Sequence, residues 1–572
     1  MKRRRKAARL RKPPLGPRGR NLEGTEKMGK IYFPQFRRGR KGIEIQKGMT
    51  ILEAAQVSGA GIHAECGGVG KCGKCAVRVE RGEENLSLPS PEEKELLPRR
   101  GERLACKARI ERDLSDITVF IRHFGEYEIL GKGAGRQVEL LPLFHRDKDM
   151  VFREDVPVDD YRGAIYGIAA DLGTTTLVLE LVNLEDGQIL DTSARTNPQI
   201  SYGNDVVSRI EFTSSDRKNG RYFGQEEKME RLSRLRGLLA EIVNDSIKLF
   251  SGKMGRDIGE CIYHLVGAGN PVMRNIFFGI DVSSLGVMPY EPLHKEAVIS
   301  KPSSLGLDMN DKGEVYGVPL IGGHVGGDTV AGILACGMYR KKEIGLLVDI
   351  GTNGEIVLGN NSLMIASSCA AGGAFEGTSV SCGTGSIEGA IKSISISDGR
   401  ISFSTIGGKD SVGVCGSGLI DLLAEMLRNG LMTENARITE DFRISGDLRL
   451  TQSDIYQLIT SKAAIKTGWQ ILLRKYPAQA GDINRVCLSG GFGNFINTKN
   501  AARIGLIPCV DEKKIEKIGN GSLEGAREIL INRRSLKDAA AIAAGVIHVK
   551  PNEAEKDFEY MLAGNMYFKG GE

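Results

Sequence analysis

Two stretches of this chain repeat one frame, and that repeat narrows the possible folds more than any other feature. YGIAADLGTTTLVLELVNLEDGQILDTSA begins at Tyr166, and IGLLVDIGTNGEIVLGNNSLMIASSC begins at Ile344. Each runs an apolar strand into an aspartate, turns through Gly-Thr and returns as a second apolar strand. A tight turn follows (Glu185-Asp186-Gly187; Gly359-Asn360-Asn361), then a third strand. Asp171 and Asp349 stand 178 residues apart. Internal repetition of this kind is expected of two related halves that face each other across a cleft. An aspartate at a strand end followed by Gly-Thr presents backbone N–H groups and hydroxyls to a phosphate, while the carboxylate orients a hydrated Mg²⁺. One such corner arises by chance in glycine-rich strand–turn–strand units. Two in the same frame can grip a phosphate chain from both sides.

The candidate site residues follow from that reading. Asp171 and Asp349 are the catalytic acids, with Gly173, Thr174, Thr175, Gly351, Thr352 and Asn353 around the phosphates. In VCLSGGFGN (Val486–Asn494), Gly490 and Gly491 follow an apolar strand, where bare backbone can lie against adenine or ribose. Glu376, alone among glycines in GGAFEGTS, is either a base or water-orienting acid, or a surface-turn carboxylate. No Walker A loop is present, so P-loop chemistry is not expected.

A second feature lies far upstream. Glu65–Cys75 reads ECGGVGKCGKC, which spaces Cys66, Cys72 and Cys75 as C-x5-C-x2-C, and Cys106 follows thirty residues later. A structural zinc site usually offers two tight C-x2-C knuckles. Only Cys72 and Cys75 are so close, and the glycine-filled first gap suits a loop wrapped around something larger than one ion. A [2Fe–2S] cluster is the favoured reading, with zinc and fortuitous cysteines as alternatives. The flanks read as a small mixed sheet: strands at KIYFP, GIEIQ, CAVRVE, RLACKARI and DITVFI, with helices at TILEAAQVS and PEEKELL.

Charge and cysteine usage narrow the setting. Ten of the first twenty residues are Lys or Arg and none is acidic, so of the net +6 the other 552 residues carry −4. Residues 1–28 are expected to be a disordered basic tail, and Met28 is a plausible true start. PPLGPRG stands where a secretory signal needs an apolar core. No run of about 18 uncharged apolar residues exists, so no membrane span is expected. The remaining seven cysteines are scattered without a disulfide spacing, which suits buried thiols in a reducing cytosol. Nucleic acid is not expected as a partner.

The cysteine segment resembles [2Fe–2S] ferredoxins of the β-grasp fold, whose plant form has C-x4-C-x2-C…C. The resemblance implies that Cys66 and Cys72 hold one iron and that Cys75 and Cys106 hold the other. It also implies one-electron transfer near about −400 mV. The two Asp-Gly-Thr frames and the double glycine resemble the phosphate-1, phosphate-2 and adenosine motifs of the acetate kinase, sugar kinase, heat-shock ATPase and actin superfamily. That superfamily implies two ribonuclease-H-like lobes with ATP between them, from about Arg162 to Lys550. NPQISYGNDVVSRI, VGAGNPVM, GGHVGGDTVAGIL, AAGGAFEG and VCGSGLID match one branch more closely.

The whole resembles reductive activators of corrinoid proteins, which use ATP to push an electron onto inactive Co(II) corrinoid and regenerate Co(I). Its implied partners are a corrinoid protein of a methyltransferase system, a low-potential electron donor and a second copy of the chain. One departure is expected: the linker is too short for the middle domain that larger members carry.

The expected fold is thus a multidomain α+β and α/β chain. A basic tail (1–28) precedes a ferredoxin-like β-grasp unit (29–122), a linker (123–162), a two-lobed ATPase (163–550) and a C-terminal tail (551–572). Rival readings are a small-molecule kinase with a redox module, a relative of 2-hydroxyacyl-CoA dehydratase activators, and a scaffold with a dead ATPase lobe. Asp205 and Arg209 are expected to form an i,i+4 ion pair on a helix, the alternative being a role in sensing nucleotide or partner, and Asp328 is read as a helix N-cap, the alternative being a phosphate-side acid. Cys382 and Cys415 are expected to be buried thiols rather than redox groups.

Overall fold

The computed structural model describes residues 29–34, 41–58, 60–62, 68, 70, 73, 75–97, 102–112, 115–121, 138–203, 205–216, 221–377, 379–490 and 495–568. The expected basic tail, the Met28 start and residues 123–137 of the expected linker lie outside them.

The first unit is a five-stranded sheet. Strands β1 (Lys30–Tyr32), β2 (Ile43–Glu44), β3 (Ala76–Arg81), β4 (Glu102–Leu104) and β5 (Ile117–Ile121) are ordered β2-β1-β5-β3-β4. β1 runs parallel to β5 and the other pairs are antiparallel, with α1 (Ile51–Ser58) burying Ile51, Leu52, Ala54 and Ala55 in the unit's core. This is the β-grasp arrangement. RLACKARI is a strand only as far as Leu104, so Cys106 sits in a turn rather than on a strand. The short helix α2 (Pro91–Leu96) carries Glu93, whose carboxylate is buried and accepts Arg103 Nε at 3.0 Å and the Leu104 N–H at 2.9 Å. That fixes β4, and Cys106 just beyond it.

The expected linker is ordered for much of its length. Strands β6 (Phe144–Asp147), β7 (Met150–Arg153) and β8 (Val156–Asp160) form an antiparallel meander. Its charged surface residues hid the alternation from the sequence, while Leu143, Phe144 and Val151 are buried in the main core. Asp159, buried beneath it, accepts hydrogen bonds from Tyr263 Oη, Asn310 Nδ2 and Lys312 Nζ at 3.0, 2.9 and 2.6 Å.

Two larger sheets repeat one topology. In the first, β9 (Tyr166–Leu172), β10 (Thr176–Asn183) and β11 (Ile189–Thr196) make an antiparallel run. β12 (Ile262–Ala268) joins β9 in parallel, and β14 (Glu314–Gly317) joins β12, with β13 (Val298–Ser300) at the edge. In the second, β15 (Gly345–Ile350), β16 (Gly354–Gly359) and β17 (Met364–Cys369) form the same run, and β18 (Arg485–Ser489) and β19 (Ile515–Gly519) continue it in parallel. The shared order 3-2-1-4-5 is the ribonuclease-H-like pattern that the duplicated frame implied.

The helices on these sheets cross over. Helix α6 (Gly327–Cys336) ends the first half, following α3 (Val206–Ser214), α4 (Gln225–Met254) and α5 (Pro271–Phe278). Helix α8 (Gly521–Ile531) follows α7 (Gln452–Lys475) in the second. Yet α8 packs on β9 and β12 of the first sheet, and Leu530 fills the space beside Gly167. The two helices touch backbone to backbone, since a Cβ on Gly525 would lie 2.0 Å from the Ala331 carbonyl oxygen. One core therefore contains Ala169 and Val266 of the first half together with Leu347, Val357, Leu523 and Ile529 of the second.

The expected C-terminal tail also belongs to the fold. Residues Pro551–Ala554 are helical, and α9 (Phe558–Asn565) packs on α7. There Asn565 Nδ2 donates to Thr467 Oγ1 and Gln470 Oε1 at 2.9 and 2.7 Å. The buried Lys462 ammonium donates to the carbonyls of Asn565 and Tyr567, and burial pulls its pKa down to about 7. Truncation after Lys550 strands that ammonium, so it should destabilise the protein by about 3 kcal/mol or more. Thermal unfolding of the truncated and full chains checks this.

Candidate nucleotide and cluster sites

The duplicated frame brings its parts to one cleft. Asp171 and Asp349 end β9 and β15, and Gly173, Thr174, Thr175, Gly351, Thr352, Asn353, Glu376 and Gly490 line the same space. Gly491 lies outside the described residues. Two of the glycines are required by geometry. A Cβ on Gly173 would lie 2.2 Å from the Thr176 carbonyl oxygen, and Gly490, at φ 125°, would place one 2.4 Å from that of Ile350.

Each aspartate is held differently. Asp171 accepts from Asn520 Nδ2 and Ser522 Oγ, both at 2.8 Å, so its partners come from the start of α8 in the other half. Asp349 accepts from Ser489 Oγ of β18 at 2.8 Å. Ser489 in turn accepts the Gly521 N–H at 3.0 Å. Glu376 bridges the halves: its Oε2 accepts from Thr352 Oγ1 at 2.6 Å and Thr175 Oγ1 at 3.2 Å, and the two hydroxyls lie 3.1 Å apart. Of the readings left open for it, the surface turn is excluded.

Burial dominates the electrostatics. It raises the Asp171 carboxyl, and raises Asp349 to about 6 with help from the charges of Asp171 and Glu376. It raises Glu376 as well, against the hydroxyls that lower it. Asp328, in the first turn of α6, is raised to about 7, and Glu355 of β16 rises further beside Asp328 and Asp349. The expected N-cap role of Asp328 is corrected: Gly326 holds that position, and Asp328 Oδ1 accepts from the Thr329 N–H at 2.7 Å. So many buried acids in one cleft call for a cation. Among the described residues no three metal-binding side chains converge to enclose one. A Mg²⁺ here would take oxygens from phosphate and water, with Asp171 and Asp349 facing its hydration shell.

Sequence reasoning missed Asn520, Ser522, Ser489, Asn270 and Glu355. Asn270 caps α5 and its Nδ2 donates to Thr174 Oγ1 at 2.9 Å. A signal existed for the helix starts. GGDTVAGIL and GNGSLEGAREIL are a second repeated pair, each with glycines at a helix start and another at the crossing. The expected Asp205–Arg209 pair is also corrected. Asp205 caps α3 by accepting the Ser208 N–H at 2.7 Å, whereas Arg209 is fully buried and points at backbone carbonyls. Cys382 and Cys415 are buried, as expected.

For the cluster, pairing of β3 with β4 sets Ala76 opposite Leu104, and the Ala105 N–H donates to the Cys75 carbonyl at 2.9 Å. This brings the thiols of Cys75 and Cys106 within 3.2 Å of each other, both buried. Gly68, Gly70 and Gly73 before them take φ between 69° and 85°, a backbone that only glycine adopts without strain. Two thiols side by side on a glycine-lined loop fit two thiolates on one iron. Cys66 and Cys72 lie outside the described residues.

The arrangement favours Glu376 as the group that orients or deprotonates the attacking water. Glu376→Gln keeps an acceptor for both threonines yet removes the base. It should lower kcat for ATP hydrolysis by about 10² or more, with KM shifting little. Steady-state hydrolysis rates check this.

Known proteins share these features. A family model described as a 2Fe-2S iron-sulfur cluster binding domain matches residues 37–111. One described as the RACo middle region matches 166–341, and one described as the C-terminal domain of RACo, the ASKHA domain, matches 343–571. The RACo middle region thus falls on the half that carries the first Asp-Gly-Thr frame, inside the span expected as ATPase and not in the linker. A solved structure titled reductive activator for corrinoid, iron-sulfur protein superposes with a TM-score of 0.69 at 28% identity, over 94% of this chain and 98% of that one. A [Co(II) methylated amine-specific corrinoid protein] reductase of Methanosarcina barkeri is 24% identical over 66% of this chain and 72% of its own. The corrinoid activation enzyme RamQ of Eubacterium limosum is 31% identical over 72% of both chains. With a cluster unit, a middle region and an ASKHA domain in that order, the chain belongs to the RACo-type family of corrinoid activators.

Proposed function

We propose that this chain is an ATP-dependent reductive activator that delivers a low-potential electron to an inactive Co(II) corrinoid protein, restoring Co(I) for methyl transfer. The observation that carries it is the meeting of both Asp-Gly-Thr corners in one cleft, on a chain that also pairs buried thiols in a ferredoxin fold. The cluster, when bound, supplies one-electron transfer. Cys75 and Cys106, with Cys66 and Cys72, would hold it. Delivery to a lower-potential acceptor is uphill, each 59 mV of deficit costing about tenfold in a one-electron equilibrium.

The chain's residues act on ATP, the substrate whose turnover offsets that deficit. Thr174, Thr175, Thr352 and Asn353 grip its phosphates from two sides. Asp171 and Asp349 orient the hydrated Mg²⁺ that accompanies it, and Glu376 orients the water. Positioning and charge stabilisation of this kind account for most of phosphoryl-transfer catalysis. The thiols lie in the unit that approaches the partner, and burial keeps them from water. The electron donor is a low-potential one, and a homodimer is part of the same reading.

The test is anaerobic: a Co(II) corrinoid protein, a low-potential reductant and the chain, with and without ATP, followed by the absorbance of Co(I). Cobalt reduction that needs no ATP would sink the activator reading and move the small-molecule kinase ahead.

A further inference from the structure

The first phosphate loop is held from behind through all three of its carbonyl oxygens. Asn197 Nδ2 donates to Gly173 O at 3.0 Å, and the Asn197 backbone N–H donates to Thr175 O at 2.8 Å. Arg209 Nη2 donates to Thr174 O at 2.5 Å. With the carbonyls held behind, the loop turns its other side to the cleft, where the Thr174 and Thr175 hydroxyls meet Asn270 and Glu376. Peptide units are rigid planes, so an N–H cannot turn toward a phosphate without its carbonyl neighbour turning on the other side.

The segment between Asn197 and Arg209 has a second set of contacts. Its turn, Pro198–Ser201, faces the cluster-bearing unit. Ser201 Oγ donates to Ala60 O at 3.0 Å and accepts the Ile62 N–H at 3.2 Å, and Gln56 Nε2 of α1 donates to Ser201 O at 2.6 Å. Gly61 lies against Ile200, leaving only 3.1 Å between a built Cβ and the Ile200 methyl. Gln199 joins the two sets: its Oε1 accepts Arg209 Nη1 at 3.0 Å and its Nε2 donates to Leu235 O at 2.9 Å. Arg209 Nε donates to Gly203 O at 3.0 Å. Asn197, Gln199 and Arg209 have no exposed surface, and Ser201 has 3%. Buried and hydrogen-bonded on both sides, these side chains have little room to absorb a shift at one end. Ala60–Ile62, at its far end, stands four residues before Cys66 in sequence.

We propose that Asn197–Arg209 is the coupling element of this protein: occupancy of the first phosphate loop sets how tightly the cluster-bearing unit is held at Ala60–Ile62, with Arg209 as the positioning residue. The inference rests on the ATP-dependent reading above and adds the route by which nucleotide reaches the redox unit. A single guanidinium fork serves Thr174, Gln199 and Gly203 together, and a lysine ammonium cannot reproduce that planar geometry. Coupling between two sites is typically worth about 5- to 150-fold in an equilibrium.

The experiment is amide hydrogen exchange on the anaerobically purified full chain, with and without Mg²⁺ and a non-hydrolysable ATP analogue, reading the peptide that spans residues 51–62. Analogue affinity is measured separately by calorimetry. In the wild type the analogue should change exchange of that peptide by about fivefold or more. In Arg209→Lys the analogue should still bind while the response falls below about twofold. Ser201→Ala combined with Gln56→Ala, which removes the three distal hydrogen bonds without touching the phosphate loop, should lose the response at unchanged affinity; it carries the test alone if Arg209→Lys does not fold. A wild type that binds the analogue with no response at 51–62 overturns the coupling element and leaves the activator reading standing. An undiminished response in the variants overturns it too. If no analogue binds, both readings fall.

Discussion

Asp349→Ala is expected to cut ATP hydrolysis by about 10²–10³ while the cluster forms with a normal visible spectrum. The carboxylate is buried, anchored by Ser489, and lines the cleft from the second half. Its removal takes away one of the two aspartates proposed to orient the hydrated cation. Cluster assembly depends on residues in a separately folded sheet, so it should not respond. Cobalt reduction should fall in parallel with hydrolysis, and both rates belong on one preparation. A variant that no longer hydrolyses ATP yet reduces cobalt at the ATP-stimulated wild-type rate would show that nucleotide binding alone suffices.

The same carboxyl gives the cleft a pH signature. Its folded pKa of about 6 exceeds the ordinary 3.8, so between those values the folded protein holds a proton that the unfolded chain has lost. The stability it contributes is complete below 3.8 and declines as pH rises through about 6. A Mg²⁺-nucleotide relieves the repulsion that appears above that point. It should therefore raise the unfolding temperature more at about pH 7.5 than at about pH 5.5.

Cys75→Ser is expected to do the reverse of Asp349→Ala. It replaces one of two thiols 3.2 Å apart with a hard alkoxide, a poor ligand for iron in a sulfide-bridged cluster. Iron, sulfide and visible absorbance should be lost or badly perturbed, and cobalt reduction with them. ATP hydrolysis should stay within about fivefold of the wild type, the modest reach of coupling between sites. Loss of hydrolysis in a variant that remains folded would show that the two sites are not separable.

What the sequence disclosed was local. Apolar strands with a period of two, broken by Asp-Gly-Thr, are written in adjacent residues, so the duplicated sheets and Asp171, Asp349, Thr175 and Thr352 were legible. So was the pairing of cysteines with a glycine-rich loop. What it hid was distant in the chain. Ser522 lies 351 residues from Asp171, and no window on the sequence joins them. Arg209 obeyed burial instead of the helix-pair rule, since three acceptors in a dry interior outweigh one exposed carboxylate four residues away. The meander at 144–160 reads as linker because charged residues dilute its apolar face, and the helix at 558–565 reads as tail because it is only eight residues long and ends in Gly-Asn.

The crossing of α6 and α8 governs how this chain can be made. The face of β9 and β12 that α8 covers is synthesised early, whereas α8 itself begins at Gly521. At about 5–20 residues per second, a ribosome needs roughly 10–40 s to travel from the end of α6 to α8. Throughout that interval the face of the first sheet that α8 covers lacks that helix. The boundary at residue 342, where the family models divide, is therefore a border in sequence but not in folding. The first half therefore completes its core only when nearly the whole chain has emerged.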